Sequence, residues 1–339
     1  MLRIVENGSL LTLNTFGVPA SARYLVPLRG MDEVMDCIDS GICLDQSRLI
    51  LGGGSNLLLT RDFPGVVLKP EMEGIRKIRE DADRVWIQAA AGENWDRFVR
   101  HCIRQGWYGL ENLVRIPGLV GACPVQNVGA YGIEIETFFD SLETVDLEMG
   151  SLVRFSKEDC RFGYRSSRFK EAPRDRYLIT SVTFRLHKSP ALEIGYSALA
   201  EELRAVERDA VSPRDVADAV DRLRQRRLPD PETLGNAGSF FKNPIIDAGE
   251  FAVIRSRNGS IPAYPTPDGR IKVAAGWLIE QCGWKGRREG RCGVYDRQAL
   301  ILVNHGGATG EEILELSLRI QASVMERFGI RLDPEPRIL

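Results

Sequence analysis

The chain has 339 residues, 43% of them hydrophobic, which is enough for roughly two or three compact domains with their own cores. Its 45 lysines and arginines nearly balance 47 aspartates and glutamates, so a net charge of -2 provides no overall field that favours nucleic acid or an anionic membrane. Seven cysteines without a C-x-x-C pair and three widely spaced histidines argue against a zinc ribbon, a complete disulfide framework and a histidine-based metal site.

The amino-terminal stretch MLRIVENGSLLTLNTFG lacks the uninterrupted apolar core of a secretory signal. No later stretch approaches the about 18 apolar residues that a membrane-spanning helix needs. We therefore expect a cytoplasmic protein with reduced thiols, no metal and no membrane insertion, in which any anionic ligand is met by local groups.

The first half of the chain alternates short apolar runs with glycine-rich turns, a pattern that predicts an α+β fold. The stretches SRLILGGGSNLLLT, GVVLKP and RVWIQAAAG are strand-like, and ENWDRFVRHCIRQG predicts a helix that ends at Gly106. The glycines at 52–54 join one strand-like run to another, and no Gly-Lys-Ser/Thr follows them. This arrangement excludes both a G-x-G-x-x-G dinucleotide fold and a P-loop.

Two glycine-rich segments are candidate ligand contacts. The consecutive glycines 52–54 expose neighbouring backbone N–H groups that can hold a phosphate, although a glycine-rich hairpin bend would use the same residues. The second segment, IPGLVGACPVQNVGAYG, runs from Ile116 to Gly132 and spaces its glycines among small and apolar residues. Such spacing favours a loop that lies flat against a large planar ligand.

Between Ser141 and Leu186, the stretches LETVDLEM, LVRFS and YLITSVTFRL predict three more strands, with Tyr164 and Arg165 in the loop before the last. A domain boundary is predicted near residues 205–212, where charge replaces apolar alternation.

Beyond the boundary, Ser212 as N-cap and Pro213 at the first position predict a helix. Its buried stripe comprises Val216, Val220 and Leu223. The last third predicts a helix through VAAGWLIEQCG, a strand in QALILVNHG, and a final helix opened by a capping box. That box pairs Thr309 with Glu312, and the buried stripe behind it comprises Ile313, Leu316, Ile320, Val324 and Phe328.

The stretch NAGSFFKNP sets the hydroxyl of Ser239 between Gly238 and two phenylalanines. A turn serine that bonds its own backbone would explain the pattern. A serine held at the edge of a water-poor cleft would explain it equally, and the stretch alone does not separate these interpretations.

The strings GGGSN, IPGLVGACPVQNVGAYG, YRSSRFK, GNAGSFFKNP and DPEPR follow in this order over about 290 residues, and with them the chain resembles the UDP-N-acetylenolpyruvoylglucosamine reductases. The resemblance covers nearly the whole chain. It implies an NADPH-dependent flavoprotein oxidoreductase that holds FAD non-covalently and reduces UDP-N-acetylglucosamine enolpyruvate to UDP-N-acetylmuramate. It also implies peptidoglycan synthesis, and hence cell-wall biogenesis, cell shape and cell division, as the setting, and a monomer.

The resemblance further implies an α+β architecture with a two-part FAD-binding module of the vanillyl-alcohol oxidase (PCMH) type and a C-terminal α+β substrate-binding domain. Residues 1–70 are expected to form FAD-binding subdomain 1, with residues 331–339 returning to the site. Residues 71–208 would form subdomain 2, and residues 209–330 the substrate-binding domain. The insertion LEIGYSALAEEL, which contains Tyr196, indicates the longer of the two family types.

The resemblance assigns FAD binding to the two glycine-rich segments. Cys123 stands where a serine is expected, so one hydrogen bond to the flavin phosphate is weakened or made by the backbone instead. The implied cofactor-binding residues are Gly52, Gly53, Gly54, Ser55, Asn56, Gly118, Gly121, Cys123, Gln126, Asn127, Gly129 and Tyr131.

The implied reaction pushes negative charge onto the carbon beside the substrate carboxylate, and this charge must be stabilised and then quenched by a proton. The resemblance places the proton donor at Ser239, the cation at Arg165 and the acid at Glu335, which would have to carry or share a proton. Without the resemblance, Arg165 and Glu335 would be interpreted as an exposed loop arginine and a surface carboxylate.

Four residues are the implied substrate contacts: Tyr164, Tyr196, Arg227 and Asn243. Tyr196 is expected to move as a lid. Arg227 stands where a lysine is expected, which keeps the charge but changes its geometry and bears on substrate affinity rather than on reaction type. A hydrophobic anchor at Tyr196 and a turn asparagine at Asn243 are the alternative interpretations.

Two other functions fit the same outline. An FAD-dependent carbohydrate oxidase or dehydrogenase would commonly attach its flavin through a histidine or cysteine, and nothing at a matching position suggests this. A non-catalytic nucleotide-sugar-binding protein would be expected to lack Ser239 or Glu335, and both are present.

Overall fold

The structure, a computed structural model, describes residues 2–44, 46–171, 173–207 and 210–339. The chain divides into two compact units. Unit 1 comprises Met1–Gly8, Ala22–Gly53 and Phe63–Gln225, and unit 2 comprises Ser9–Ser21, Gly54–Asp62 and Arg226–Leu339. The division passes through the run of three glycines, and the three-part domain boundaries expected from the sequence stay predictions.

The regular elements of the described residues are short strands and mostly short helices. The strands are β1 (Val5–Ser9), β2 (Ser21–Leu28), β3 (Arg48–Ile50), β4 (Leu57–Leu58), β5 (Phe63–Pro70), β6 (Ile75–Glu80), β7 (Arg84–Ala90), β8 (Gly129–Ala130), β9 (Ile133–Glu134), β10 (Phe139–Asp146), β11 (Ser151–Ser156), β12 (Tyr177–His187), β13 (Gly235–Ser239), β14 (Ile245–Ile246), β15 (Ala263–Pro265), β16 (Ile271–Val273), β17 (Arg288–Glu289), β18 (Cys292–Val294), β19 (Ile301–Asn304) and β20 (Arg337–Ile338). The α-helices are α1 (Met31–Asp39), α2 (Trp95–Arg104), α3 (Lys157–Cys160), α4 (Ser197–Glu202), α5 (Pro213–Arg227), α6 (Ala248–Asn258), α7 (Ala275–Gln281) and α8 (Gly310–Phe328). Short 3-10 helices cover Leu11–Leu13, Glu111–Leu113, Val120–Gln126, Ile135–Thr137 and Arg168–Lys170.

Unit 1 is built on two main sheets. In the four-stranded sheet, ordered β1-β2-β5-β3, strand β5 runs parallel to both β2 and β3. The five-stranded sheet, ordered β11-β10-β12-β7-β6, is antiparallel throughout. One apolar cluster packs α2, α5 and the 3-10 helix Val120–Gln126 with the five-stranded sheet, and a second packs α1 with the four-stranded sheet.

Unit 2 contains a four-stranded sheet ordered β13-β19-β18-β17 and a three-stranded sheet ordered β14-β16-β15. Its smallest sheet pairs β20 in parallel with β4, so that Arg337 lies opposite Leu57 and Ile338 opposite Leu58. The last residues of the chain therefore return to the stretch that follows the glycine run within the same unit.

The sequence predicted α2, α5, α7 and α8, and all four are confirmed, whereas α1 and α6 were not predicted. Asn94 accepts a hydrogen bond from the Arg97 backbone N–H at the start of α2, which ends shortly before Gly106. Ser212 and Asp215 bond each other reciprocally at the start of α5, and Thr309 and Glu312 do the same for α8. The predicted apolar stripes of α5 and α8 are buried. The strands predicted in the first half and in the 139–187 region are confirmed as β3, β4, β5, β7, β10, β11 and β12.

The second glycine-rich segment differs from its prediction as a flat loop. Residues Val120–Gln126 form a 3-10 helix, because small side chains allow the backbone to close tight turns such as the bond from Ala122 N–H to Leu119 C=O (3.0 Å). Asn127 ends this helix in the left-handed conformation, with φ 47°.

Across the described ranges, none of the helices combines the length and the apolar character needed to cross a membrane.

Candidate active site

The two glycine-rich segments contact each other within unit 1. A Cβ placed on Gly53 would lie 2.7 Å from the Cα of Gly118, and one on Gly52 would lie 2.9 Å from the Cβ of Ala122. A Cβ on Gly121 would lie 2.5 Å from the Cβ of Ala91. Such distances are below any ordinary contact. The approach of the two segments therefore depends on glycine at 52 and 53, and the packing of the second segment against Ala91 depends on Gly121. The result is a surface of backbone and small side chains that can supply N–H donors to an anion.

A charged network holds the start of the second glycine-rich segment. The Asp221 carboxylate of α5 accepts hydrogen bonds from Arg100 of α2 (2.7 Å) and from Arg115 (3.0 Å). Arg115 has a left-handed backbone, with φ 58°, and its N–H donates to Asp96. Burial alone would raise the pKa of Asp221, but hydrogen bonds from Arg100 and Gln225 and the arginine charges lower it overall. The network therefore fixes the chain just before Gly118.

Asn127 and Cys123 lie in the interior of unit 1. Asn127 is fully buried, and its side-chain amide donates to Glu134 (2.9 Å) and to the Gly163 carbonyl (3.3 Å), while its oxygen accepts from the Glu136 N–H (3.2 Å). Cys123 is 3% exposed in the apolar cluster, and burial raises the pKa of its thiol well above the usual range. Both side chains contact protein groups, so any cofactor contact at these two positions falls to their backbones.

Arg165 is held against the second glycine-rich segment. It lies in a turn closed by reciprocal backbone bonds between Gly163 and Ser166 (3.1 and 3.0 Å), in the left-handed conformation with φ 52°. Its guanidinium donates to the Gly129 carbonyl (2.9 Å), and its own carbonyl accepts from Lys170 (3.3 Å), which also reaches the Gln126 side chain (3.4 Å). The half-buried guanidinium is thereby fixed in direction.

Tyr196 is brought to the same segment. Its ring meets the Tyr131 ring edge-on, with centroids 5.3 Å apart, and the residue is 43% exposed at the start of α4. Asn112, which sequence reasoning missed, holds this arrangement: its amide donates to the Tyr131 carbonyl and to the Glu193 carbonyl, both at 2.8 Å. Asn112 is 2% exposed. No local pattern marks it, because its two partners lie 19 and 81 residues away.

In unit 2, Ser239 ends β13 next to a left-handed glycine. Gly238 has φ 67°, which an L-residue rarely adopts, and its N–H donates to the Asn236 side chain (2.9 Å). The register of β13 against β19 shifts between Asn236 and Ser239. Phe240 and Phe241 are 0% and 1% exposed, whereas Ser239 is half-buried. The hydroxyl thus lies at a bulge bordered by buried aromatic rings.

Glu335 lies beside the same bulge. Its backbone N–H donates to the Phe240 carbonyl (2.8 Å), Phe241 forms a bridge with Pro334, and the Lys242 N–H donates to the Asp333 carbonyl (2.9 Å). The DPEPR stretch therefore runs antiparallel to the residues that follow Ser239. Although 96 positions separate them in the printed sequence, Glu335 and Ser239 belong to adjacent chain segments.

The other sequence-predicted residues are distributed over both units. Gly54, Ser55 and Asn56 belong to unit 2, where the Asn56 carbonyl accepts from the Arg337 N–H (3.0 Å). Asn243 accepts from the Ala275 N–H (3.0 Å) at the start of α7, a role that the turn-asparagine interpretation did not include. Arg227 is exposed at the end of α5, and Tyr164 is half-buried beside Arg165. Within the described residues, no group of three His, Cys, Asp or Glu side chains is placed to hold a metal ion.

Comparisons with known proteins identify the families to which the two parts of the chain are similar. Residues 32–156 match the family described as FAD binding domain, and residues 230–339 match the family described as UDP-N-acetylenolpyruvoylglucosamine reductase, C-terminal domain. The chain is 49% identical over 337 residues to a UDP-N-acetylenolpyruvoylglucosamine reductase of Burkholderia vietnamiensis, covering 99% of this chain and 97% of that protein. It is 49% identical over 327 residues to the protein of the same name from Chromobacterium violaceum, covering 96% of each.

The crystal structure of UDP-N-acetylenolpyruvylglucosamine reductase from Thermus caldophilus has a TM-score of 0.69 to this chain at 24% identity, covering 100% of this chain and 98% of that one. This likeness shows a shared fold. Together with the two family matches, it confirms the predicted fold class, an FAD-binding module of the vanillyl-alcohol oxidase type followed by a C-terminal α+β domain.

Proposed function

This chain belongs to the UDP-N-acetylenolpyruvoylglucosamine reductase family. From this premise we propose which of its residues bind the cofactor, bind the substrate and take part in the reaction. The activity is the NADPH-dependent reduction of UDP-N-acetylglucosamine enolpyruvate to UDP-N-acetylmuramate in peptidoglycan precursor synthesis. The observation that carries the proposal is the pairing in unit 2 of the Ser239 bulge with the Glu335 segment.

The residues present fit FAD. The direct contact of Gly53 with Gly118 leaves backbone and small side chains where a Cβ would intrude, which suits a diphosphate and a flat ring system. We assign cofactor binding to the glycine-rich residues and their neighbours, namely Gly52, Gly53, Gly54, Ser55, Asn56, Gly118, Gly121, Gly129 and Tyr131. Gln126, Asn127 and Cys123 would support the same surface, chiefly through backbone groups. FAD held by these residues would supply the hydride-transfer chemistry that couples oxidation of NADPH to reduction of the enolpyruvyl group.

Replacing Gly53 with alanine is expected to weaken FAD binding by roughly 5- to 150-fold. The added Cβ meets the Gly118 backbone at 2.7 Å, and relieving such an overlap costs about 1–3 kcal/mol. Titration of FAD into the deflavinated protein measures the change.

Gly249→Ala is the matched control, because a Cβ at Gly249 meets nothing within 4 Å and its φ is not in the left-handed region. Equal FAD dissociation constants for the two variants would show that the contact between Gly53 and Gly118 does not matter for the cofactor.

Arg165 is assigned to the substrate carboxylate. Its planar guanidinium can donate to both carboxylate oxygens, and the bond to the Gly129 carbonyl fixes its direction before substrate binds. A cation placed in advance stabilises the negative charge that develops in the enolate-like transition state, without reorganisation at the moment of reaction.

Ser239 is assigned as the proton donor and Glu335 as the acid that polarises the enolate. An alcohol is a weak acid in water, yet a hydroxyl held rigidly over a strongly basic carbon can donate its proton. The bulge fixes the backbone of Ser239, and the buried rings of Phe240 and Phe241 help to exclude water. The backbone bond from Glu335 to Phe240 places both groups on neighbouring segments.

Tyr164, Tyr196, Arg227 and Asn243 are assigned to the UDP-sugar. Because NADPH and UDP-sugars are used in the cytoplasm, we propose that the chain acts in that compartment. We also propose that it acts as a monomer, and sedimentation velocity of the FAD-loaded protein would test this oligomeric state.

An anaerobic visible spectrum tests the function as a whole. The flavin band should bleach on addition of NADPH and return on addition of UDP-N-acetylglucosamine enolpyruvate. Return of the band with oxygen alone would favour a flavin-dependent oxidase, and folded protein that binds no FAD would overturn the cofactor assignment.

Asn112 is proposed as a positioning residue, because its two bonds tie Tyr131 to the segment that carries Tyr196. Asn112→Ala would leave two carbonyls without this donor, and the KM for the enolpyruvyl substrate is expected to rise roughly tenfold while kcat changes little. Steady-state kinetics on both substrates measure this separation.

Asn258→Ala is the control for Asn112, since the Asn258 side-chain amide donates to the Ile254 carbonyl (2.9 Å) of its own helix, at the end of α6. A loss of kcat at unchanged KM, or loss of bound FAD, would show that Asn112 supports the fold rather than the Tyr196 segment.

A further inference from the structure

Two thiols that the reaction does not use lie in contact in unit 1. The sulfur of Cys37, near the end of α1, is 3.6 Å from the sulfur of Cys43, in the turn that follows. Each residue is 1% exposed, and both belong to the apolar cluster that packs α1 against the four-stranded sheet. All seven cysteines of the chain are free, so this pair is in the dithiol state.

The surroundings distinguish the two sulfurs. The thiol of Cys37 can donate to the sulfur of Cys43, and this hydrogen bond, together with the charge of Arg48, lowers the pKa of Cys43 despite its burial. The same bond and burial raise the pKa of Cys37. The positive charge of Arg48 favours the thiolate form at Cys43, so we assign Cys43 as the nucleophile and Cys37 as its resolving partner.

We propose that Cys37 and Cys43 form a peroxide-sensitive modification site that is reversibly oxidised to an intramolecular disulfide. The inference goes beyond the proposed function and does not depend on it. A disulfide bond is about 2.05 Å long, so the sulfurs must approach by about 1.5 Å, which a side-chain rotation at a helix end can supply. Because each cysteine is only 1% exposed, a small oxidant such as hydrogen peroxide can reach the sulfurs more readily than a bulky peptide disulfide.

The chemistry balances with one hydrogen peroxide. The Cys43 thiolate attacks a peroxide oxygen, an S–O bond forms, the O–O bond breaks, and the departing hydroxide takes up a proton to leave as water. The Cys37 sulfur then attacks the sulfenic sulfur of Cys43, an S–S bond forms, the S–O bond breaks, and a second water leaves. The two thiols lose two electrons and the peroxide gains them; a dithiol reductant reverses the oxidation.

The site lies in the connection that leads into β3 and then into Gly52 and Gly53. Residues 41–44 form turns at the end of α1, and Leu44 is 63% exposed, so local opening of this connection can admit peroxide without global unfolding. A disulfide would tie the end of α1 covalently to the turn at residues 41–44.

Peptide mapping tests the proposal directly. No lysine or arginine lies between Arg29 and Arg48, so trypsin releases one peptide, residues 30–48, that contains both cysteines and no other. The full-length reduced protein is treated with hydrogen peroxide while folded and freed of excess peroxide. It is then unfolded in denaturant so that every remaining thiol can be blocked, and digested. We expect this peptide to lose the mass of two hydrogens, to resist the blocking reagent, and to regain both thiols with dithiothreitol.

Cys282 is the internal control, because it is more exposed than either member of the pair and has no cysteine partner. If exposure alone governed oxidation, Cys282 would react first. We expect the 30–48 peptide to be oxidised at least about tenfold faster. Faster oxidation of Cys282, or a 30–48 peptide that still takes up two blocking groups after peroxide, would overturn the proposal.

Single variants assign the roles. In folded Cys37→Ser, a sulfenic acid should accumulate at Cys43 and be trapped by dimedone, whereas Cys43→Ser should give little label at Cys37. The reverse labelling would overturn the assignment of Cys43 as the nucleophile. If a variant does not fold, peptide mapping of the unaltered protein still tests whether the disulfide forms.

Discussion

Replacing Ser239 with alanine is expected to slow the reoxidation of the flavin by the enolpyruvyl substrate by roughly 1000-fold, while reduction by NADPH stays within about twofold of normal. The reason is chemical: only the second half of the reaction places a proton on carbon. Ser239 is half-buried at the end of β13, so loss of its hydroxyl removes the donor without opening the buried rings of Phe240 and Phe241. Anaerobic stopped-flow absorbance separates the two half-reactions.

Ser256→Ala is the control for this substitution. The Ser256 hydroxyl donates to the Val253 carbonyl (2.8 Å) within α6, as a surface helical serine often does, and its removal should change neither rate. Equal slowing of both half-reactions in Ser239→Ala would mean that Ser239 supports the site as a whole and is not the proton donor.

Replacing Arg165 with glutamine is expected to lower the rate of the substrate half-reaction by roughly 100- to 1000-fold, the usual effect of removing one group that stabilises developing negative charge. Glutamine keeps a hydrogen-bond donor, but its side chain is two bonds shorter than the arginine group that contacts the Gly129 carbonyl, and it loses the positive charge and the planar fork. Reduction of the flavin by NADPH does not involve the substrate carboxylate and should be preserved. Single-turnover rates at saturating substrate measure the effect.

Arg161→Gln is the matched control. Arg161 lies four residues away, shares the left-handed backbone with φ 46°, and pairs with Glu171 at 2.7 Å on the surface. An exposed ion pair of this kind contributes little to stability. If Arg161→Gln and Arg165→Gln slowed the reaction equally, the effect would belong to the loop and not to the Arg165 guanidinium.

Local sequence signals were reliable wherever a single element decides the outcome. The caps of α5 and α8 act over three residues, and the apolar stripes of these helices repeat with the helical period, so neither needs tertiary information. The short apolar runs on either side of the three glycines likewise predicted that the glycines connect two strands, which are β3 and β4 in the structure. The order of the five motifs indicated the family, and through it Ser239, Arg165 and Glu335.

The tertiary structure alone decided which distant residues meet. The contact of Gly53 with Gly118, the bonds from Asn112 to Tyr131 and Glu193, and the adjacency of Glu335 to Phe240 each join segments that are far apart in the chain. The contact between Cys37 and Cys43 depends on how α1 ends and turns. Hydrophobic periodicity and helix capping depend on residues that are close in the sequence. The contacts between distant segments depend instead on the sheet order and register that bring those segments side by side. For that reason the sequence by itself determined the family of this protein and those elements that carry a clear local pattern, and only the fold determined which of its side chains lie together.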